Sequence, residues 1–496
     1  MVIFTLRTNS KANILLLLIL LLLPRLNNLS FAATGSNGSG ENNFNMPVIG
    51  DQISVKDYLN SQRQMSTITH TASGTASLED THLIDVLLFA LHRNRSIKGA
   101  KQRIESAESR VVQARSIFGL KLTGNFQHTR VDDVGKTVVG GQTIPMGKTD
   151  SQTAYMEVTQ PIFLSGKDRY MLNSARLGRS SAKSGQLLTQ QQILLETTLR
   201  WQEWLFAGEA ERVGQKDFEL AKAHHVLVSN RFKHKQASQF ELLRAEVRLA
   251  QAQSALRNKI NNRELAGLDL LNTIDLPGDT PITTKDRLQM IDLEVDLEND
   301  QVKALELRED IRMKQFEVNI AQQAIASAKS ENQPVVSLFG QSGYQDPSSK
   351  SSMGNYERKG YWRAGVVANF TLTDGGMRAG KIKEAQTQFA LAEIELKEAI
   401  EKARIEIKQA FLNIETAKEV VASQHKALKQ AEEALRLSGV RYANGLITQV
   451  ELFDAENAYL ATRLQFLQAI LSYHQAYASY RLATGQLGRK LISDSF

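Results

Sequence analysis

Two hydrophobic periods alternate along this chain of 496 residues. Apolar positions recur at helical spacing for most of its length, and in four short stretches they fall at every second residue, the spacing of a strand. A helix is predicted from about Leu78 to Phe118, with Ser77 as N-cap and Glu79 and Asp80 in the first turn. In Leu120 to Phe126, Leu120, Leu122, Gly124 and Phe126 alternate with Lys121, Thr123 and Asn125. A polar, Gly-rich connection, Asp132 to Asp150, leads to a second strand from about Thr153 to Phe163, ending at Pro161 and the Ser165-Gly166 turn. Helical spacing resumes at Lys167 and runs, with one interruption, to Thr273; Leu276-Pro277-Gly278-Asp279 breaks it.

The plan then repeats. A helix is predicted from about Gln301 to Glu331, stopping before Pro334, then a strand from Val335 to Gln345, a loop from Asp346 to Gly360, and a strand from Tyr361 to Leu372. The last helix carries a heptad stripe of Leu452, Tyr459, Phe466, Tyr473 and Tyr480, beside a small-residue line of Ala455, Thr462, Ala469, Ala476 and Ala483. Large residues beside small ones let neighbouring helices interlock closely. Leu242, Leu249, Leu256 and Leu270, with Ala245, Ala252 and Ala266, keep part of that pattern 210 positions earlier. At the same offset Arg231-Phe232 matches Arg441-Tyr442, Gln239 matches Gln449, Glu241-Leu242 matches Glu451-Leu452, and Ala245-Glu246 matches Ala455-Glu456. A long internal period marks one structural unit used twice. The expected segments are 1–33, 34–77, a first helix-hairpin-helix repeat at 78–277, a linker at 278–300, a second repeat at 301–485, and a tail at 486–496.

The last predicted strand puts Trp362, Ala364, Val366, Ala368 and Phe370 on one face and Tyr361, Arg363, Gly365, Val367 and Asn369 on the other. An apolar outside and a mixed inside is what a membrane barrel strand needs. Four strands are too few to close a barrel, and an open edge cannot face lipid, so several copies must pool their strands. Three copies would supply twelve; a tetramer stays open. Helices ringed on such a barrel would extend the pore as a tunnel. The alternative is a soluble periplasmic coiled-coil scaffold, which needs no outward apolar strand face.

Composition sharpens this picture. Only 8 prolines are present, and helix formers dominate. The net charge of +7 is spread along the chain without a basic block, which argues against nucleic-acid binding. There is no cysteine, so disulfides, thiolate metal sites and lipid attachment through cysteine are excluded. Arg7 and Lys11, the apolar run Ile14 to Leu23, then Pro24, Ser30, Ala32 and Ala33 follow the order of a cleaved secretory signal peptide; the run is short of the roughly 20 residues a spanning helix needs. The Ser-, Thr-, Asn- and Gly-rich stretch from Thr34 to Ser77 reads as a disordered leader.

Candidate chemistry is confined to two helix-to-helix tips, Phe232 to Ser238 and Tyr442 to Thr448, at the end far from the strands. Ser238 and Thr448 read as N-caps, with Glu241 and Glu451 in the following first turns and Asp454 one turn beyond Glu451. These carboxylates are either simple capping charge or, repeated by symmetry, acidic rings at a pore mouth. No catalytic constellation, metal spacing or cofactor motif accompanies them; His224 and His225, being adjacent, point different ways on a helix.

At this point the chain resembles the TolC-like outer-membrane efflux protein family, from about Leu78 to Gly485. The resemblance rests on Leu78-Glu79-Asp80 through Asn94, on Pro161-Ile162-Phe163 with Gly166, and on Phe370-Thr371-Leu372 with Asp374-Gly375-Gly376. Arg441-Tyr442-Ala443-Asn444-Gly445 followed by Val450-Glu451-Leu452-Phe453-Asp454-Ala455 completes it. It implies a homotrimer with a twelve-stranded barrel in the outer membrane and a long α-helical barrel across the periplasm. It further implies a passive duct of a tripartite efflux or type I secretion system, not an enzyme, docking to a periplasmic adaptor and an inner-membrane transporter. By the same resemblance Tyr442 and Glu241 belong to a network that closes the periplasmic entrance, and Glu451 and Asp454 to its cation-binding rings. Two departures stand out: Ile447 replaces a basic residue of the network, and Lys235 stands where glycine is usual in the first tip.

Overall fold

In the computed structural model the chain divides into units Met1–Gln64 and Met65–Phe496. The residues described are 78–491 apart from 79, 134, 146–148, 292–294, 346–358 and 490, all in the second unit. The predicted signal peptide (1–33), leader (34–77, with the Ser77 cap), most of the 346–360 loop and the tail beyond 491 lie outside them.

The first half consists of α1 (Leu83–Arg93), α2 (Arg95–Ser116), β1 (Lys121–Arg130), β2 (Lys136–Val139), β3 (Gln142–Pro145), β4 (Asp150–Leu164), α3 (Lys167–Lys233) and α4 (Gln239–Thr273). The second half consists of α5 (Leu297–Leu307), α6 (Glu309–Ser330), β5 (Val335–Gln345), β6 (Lys359–Asn369), α7 (Met377–Ala443) and α8 (Gln449–Ala483). The repeat is kept to the residue: α3 and α7 are each 67 residues long, and α4 and α8 each 35, with both pairs offset by 210. At about 1.5 Å per residue, α3 and α7 each run for roughly 100 Å. Each starts after a left-handed residue pair, Ser165-Gly166 and Gly375-Gly376, that turns the chain out of its strand.

Each leading helix, predicted as one piece, is two. The first breaks at Asn94 and the second at Arg308, both in extended conformation. The cause is a contact distant in sequence: Asn94 Nδ2 donates to the Thr273 carbonyl at 2.8 Å, and Arg308 Nη1 to the Ala483 carbonyl at 3.1 Å. These carbonyls end α4 and α8, where no helical donor follows. Asn94 Oδ1 also caps α2 through the Ser96 and Ile97 amides. The first helix begins at Leu83 rather than beside Ser77, because Leu78 pairs in parallel with Ile282 of the linker.

The main sheet is antiparallel in the order β1-β4-β5-β6, so the two hairpins of the repeat join through β4 and β5 and leave β1 and β6 as edges. Pro161 does not end its strand; β4 continues to Leu164 through a register shift between Pro161 and Phe163. The connection predicted as loop holds a small hairpin, β2 with β3, turned at Gly140-Gly141, both at positive φ.

Buried apolar residues form two clusters along the helices. One gathers Val86, Leu91, Trp201, Trp204 and Leu270 from α1, α3 and α4. The other gathers Ile407, Ile414, Ala469, Ile470, Tyr473 and Tyr480 from α7 and α8. Tyr473 and Tyr480 of the heptad stripe are fully buried. The sheet has the opposite arrangement. Trp362 is 70% exposed, Phe126 69% and Met156 62%, while Gln341 is 3% exposed.

Candidate functional site

The two tips are copies in detail. In the first, the Lys235 amide donates to the Phe232 carbonyl and Gln236 to Arg231; in the second, Gly445 donates to Tyr442 and Leu446 to Arg441. Lys235 adopts φ 57° where Gly445 has 70°, so the lysine holds the left-handed conformation that glycine takes without cost. The tips then enter α4 and α8 through matched capping boxes. The Ser238 amide donates to Glu241 Oε2 at 2.7 Å while the Glu241 amide donates to Ser238 Oγ; Thr448 and Glu451 repeat both bonds. Thus Glu241 and Glu451 each satisfy an otherwise unpaired amide at a helix start. Asp454 lies exposed one turn further along α8.

Tyr442 faces the first repeat. The Arg231 guanidinium sits over its ring, 5.7 Å from the centroid, and the His224 ring is 5.6 Å away. Burial pushes the Tyr442 phenol above its ordinary pKa; Arg231 opposes that shift and Glu241 adds to it. Tyr442 and Glu241 are therefore brought to one place, with Arg231 joining them. Glu451 and Asp454 sit on their own helix.

Sequence reasoning missed the centre of this cluster. His224 is 9% exposed, its Nε2 lies 2.9 Å from Gln449 Nε2, and its ring meets Phe453 edge-on at 4.9 Å. Burial, then Arg231 and His225, hold its pKa below the usual value. Two helical turns further from the tip, Asp217 and Arg248 form an ion pair that is mostly buried. Nearby, Glu456 is buried on α8, and its carboxyl is pushed up by burial, with Arg248 opposing and Asp217 reinforcing. The available signal was the heptad itself: Gln449 and Glu456 are polar residues seven apart on a helix.

Residues 302–486, the second repeat, match the family of outer membrane efflux proteins. The outer membrane efflux protein BepC of Brucella suis biovar 1 is 20% identical over 427 residues, covering 84% of this chain and 89% of its own. The outer membrane protein TolC of Salmonella enteritidis is 25% identical over 173 residues, 34% of this chain and 35% of its own. Among solved structures, the Campylobacter jejuni CmeC outer membrane channel superposes with a TM-score of 0.68 at 16% identity, covering 92% of this chain and 97% of that one. The doubled strand-and-tip plan, the family match across the second repeat and a relative aligned along most of the chain all indicate a TolC-like outer membrane factor, seated in the outer membrane and reaching into the periplasm.

Proposed function

We propose that the chain is the passive outer-membrane duct of a tripartite efflux system, built from three copies and opened at its helix tips by a periplasmic adaptor and an inner-membrane pump. The observation that carries this reading is the inverted sheet. On one face of β1, β4 and β6 the large apolar side chains Phe126, Met156, Trp362 and Val366 lie in the open, while on the opposite face the polar Gln341 of β5 is covered. Water would drive the opposite arrangement; a lipid surround and a wet interior favour this one. The open β1 and β6 edges of one copy then pair with those of its neighbours, since unpaired strand edges are costly in lipid. In this reading residues 1–33 are removed on export, and the repeats at 78–277 and 301–485 are joined by the 278–300 linker. The chain performs no reaction; the pump supplies the driving force. The relatives named as efflux proteins favour efflux over protein secretion.

The closed state rests on the Tyr442-Arg231 contact between the repeats, with Glu241 beside it, and Glu451 and Asp454 line the entrance. Purified mature protein in a planar bilayer is expected to give discrete channels blocked by divalent cations from one side. Folded, helical protein that never inserts would return the soluble scaffold to first place.

A further inference from the structure

The face of the sheet opposite Met156 and Trp362 carries a charged row. Register pairs Thr123 with Glu157, Glu157 with Gln341, and Gln341 with Arg363, so the four side chains cross β1, β4, β5 and β6 on one face. Arg363 Nε donates to Gln341 Oε1, and Gln341 is among the most buried polar residues of the strands. Thr159 Oγ1 approaches Glu157 Oε1 at 3.4 Å from the next position on the same face. Among the described residues, Glu157 and Arg363 are the mid-strand charges of this face; Lys121 and Lys359 share it at the first residues of β1 and β6. Glycines flank the row on either side: a Cβ at Gly343 would collide with the Ala154 carbonyl and with Tyr155, and one at Gly365 would press on the Phe339 ring at 3.1 Å. The aromatic rows frame the charged one.

Resting on the three-copy duct, we propose that Glu157 and Arg363 form a charge-balanced belt inside the strand barrel. This belt is a selectivity element separate from the helix tips, and it keeps the membrane passage indifferent to the sign of a solute's charge. Neighbouring strands are about 4.8 Å apart, which puts β4 and β6 roughly 10 Å apart. With strands tilted by about 40°, that separation places the two residues roughly 6 Å apart along the pore. Threefold repetition then makes one ring of three carboxylates and one of three guanidiniums, close enough for each to offset the other. Rings of charged side chains set ion selectivity in pores, and opposed rings cancel at a distance while acting strongly within. Gln341, between them, holds the arginine through its side-chain oxygen and prevents collapse into a direct pair.

The test is the reversal potential of single channels in a potassium chloride gradient. Glu157→Gln is expected to move selectivity towards anions and Arg363→Gln towards cations. Each shift should be at least about twofold in permeability ratio, the effect of one unit charge at roughly 10 Å in water. The double variant should return close to the parent, and Arg363→Lys, which keeps the charge, should leave the potential in place. Conducting channels whose potential neither single variant moves would overturn the belt while leaving the duct intact. Failure of the parent protein to form channels would remove duct and belt together.

Discussion

His224 and Glu456 give the tip two titrating groups of opposite sign. His224 is buried and held below its ordinary pKa, so the closed tip prefers the neutral ring. Opening returns it towards water and a pKa near about 6.5. The closed state therefore has its full His224 contribution above about 6.5 and loses it as pH falls through the depressed value. Glu456 works the other way. Its carboxyl is raised, so its contribution is present at low pH and is lost as pH rises through the raised value. The groups facing His224 are Arg231 and His225 from α3, Tyr442 from α7, and Gln449 and Phe453 from α8. On acidification from pH 7 to 5 His224 favours opening and Glu456 favours closing. His224→Gln should therefore shift the pH dependence of conductance towards closing at low pH, and Glu456→Gln should shift it towards opening; a pH profile unaltered by His224→Gln would take His224 out of the gate. At the entrance, alanine at both Glu451 and Asp454 should weaken divalent-cation block. The loss of the Glu451 capping bonds adds about 1 kcal/mol of tip destabilisation, so Asp454→Asn, away from the cap, separates charge from folding. Block unchanged in both variants would mean that neither side chain lines the mouth.

At the scale of elements, the two tips form a matched experiment. Lys235 sits in the left-handed region at a cost that Gly445 does not bear. Lys235→Gly should stabilise the first tip by about 1 kcal/mol, and Gly445→Ala should destabilise the second by a similar amount. Thermal unfolding monitored by helical circular dichroism measures both; a Lys235→Gly variant that unfolds earlier would mean that the lysine side chain contributes more than its backbone costs. These turns were legible in sequence because Asn-Gly, the Ser and Thr caps and the glutamates three residues on are local signals, repeated at one offset. The strands were legible for the same reason: β5 was predicted over its observed span, Val335 to Gln345. The helix breaks at Asn94 and Arg308 were not, since each is imposed by a carbonyl more than 170 residues away. His224 stayed hidden likewise. Its partners Tyr442, Gln449 and Phe453 come from the other repeat, and no periodicity within one helix announces a contact between two. The β2-β3 hairpin was announced, by Gly140-Gly141 between β-branched residues, and was passed over because the surrounding stretch is polar.

For the whole molecule, the decisive question is how β1 and β6 are satisfied. Both are full-length edge strands of ten and eleven residues, each paired on one side only within the chain. Edges of that length are normally blunted by charge, proline or cover. Here their outward positions are instead Leu122 and Phe126 on one and Trp362 and Val366 on the other, all more than half exposed. A β6-to-β1 contact between copies is head-to-tail, so it must close into a ring or run on as a filament. Because the chain has no cysteine, the choice can be read by cross-linking without background. Trp362→Cys on β6, combined in turn with single cysteines from Lys121 to Arg130 on β1, should give oxidised ladders for the one or two positions that face it across the seam. Closure by three copies predicts a ladder that stops at the trimer, with full oxidation yielding a single covalent ring. A ladder ending at the tetramer would give a sixteen-stranded barrel, and one that climbs without limit would mean an open filament. Trimers that form while no β1 position cross-links would place the contact between copies on the helices alone, leaving the strand edges to some other cover and removing the twelve-stranded barrel.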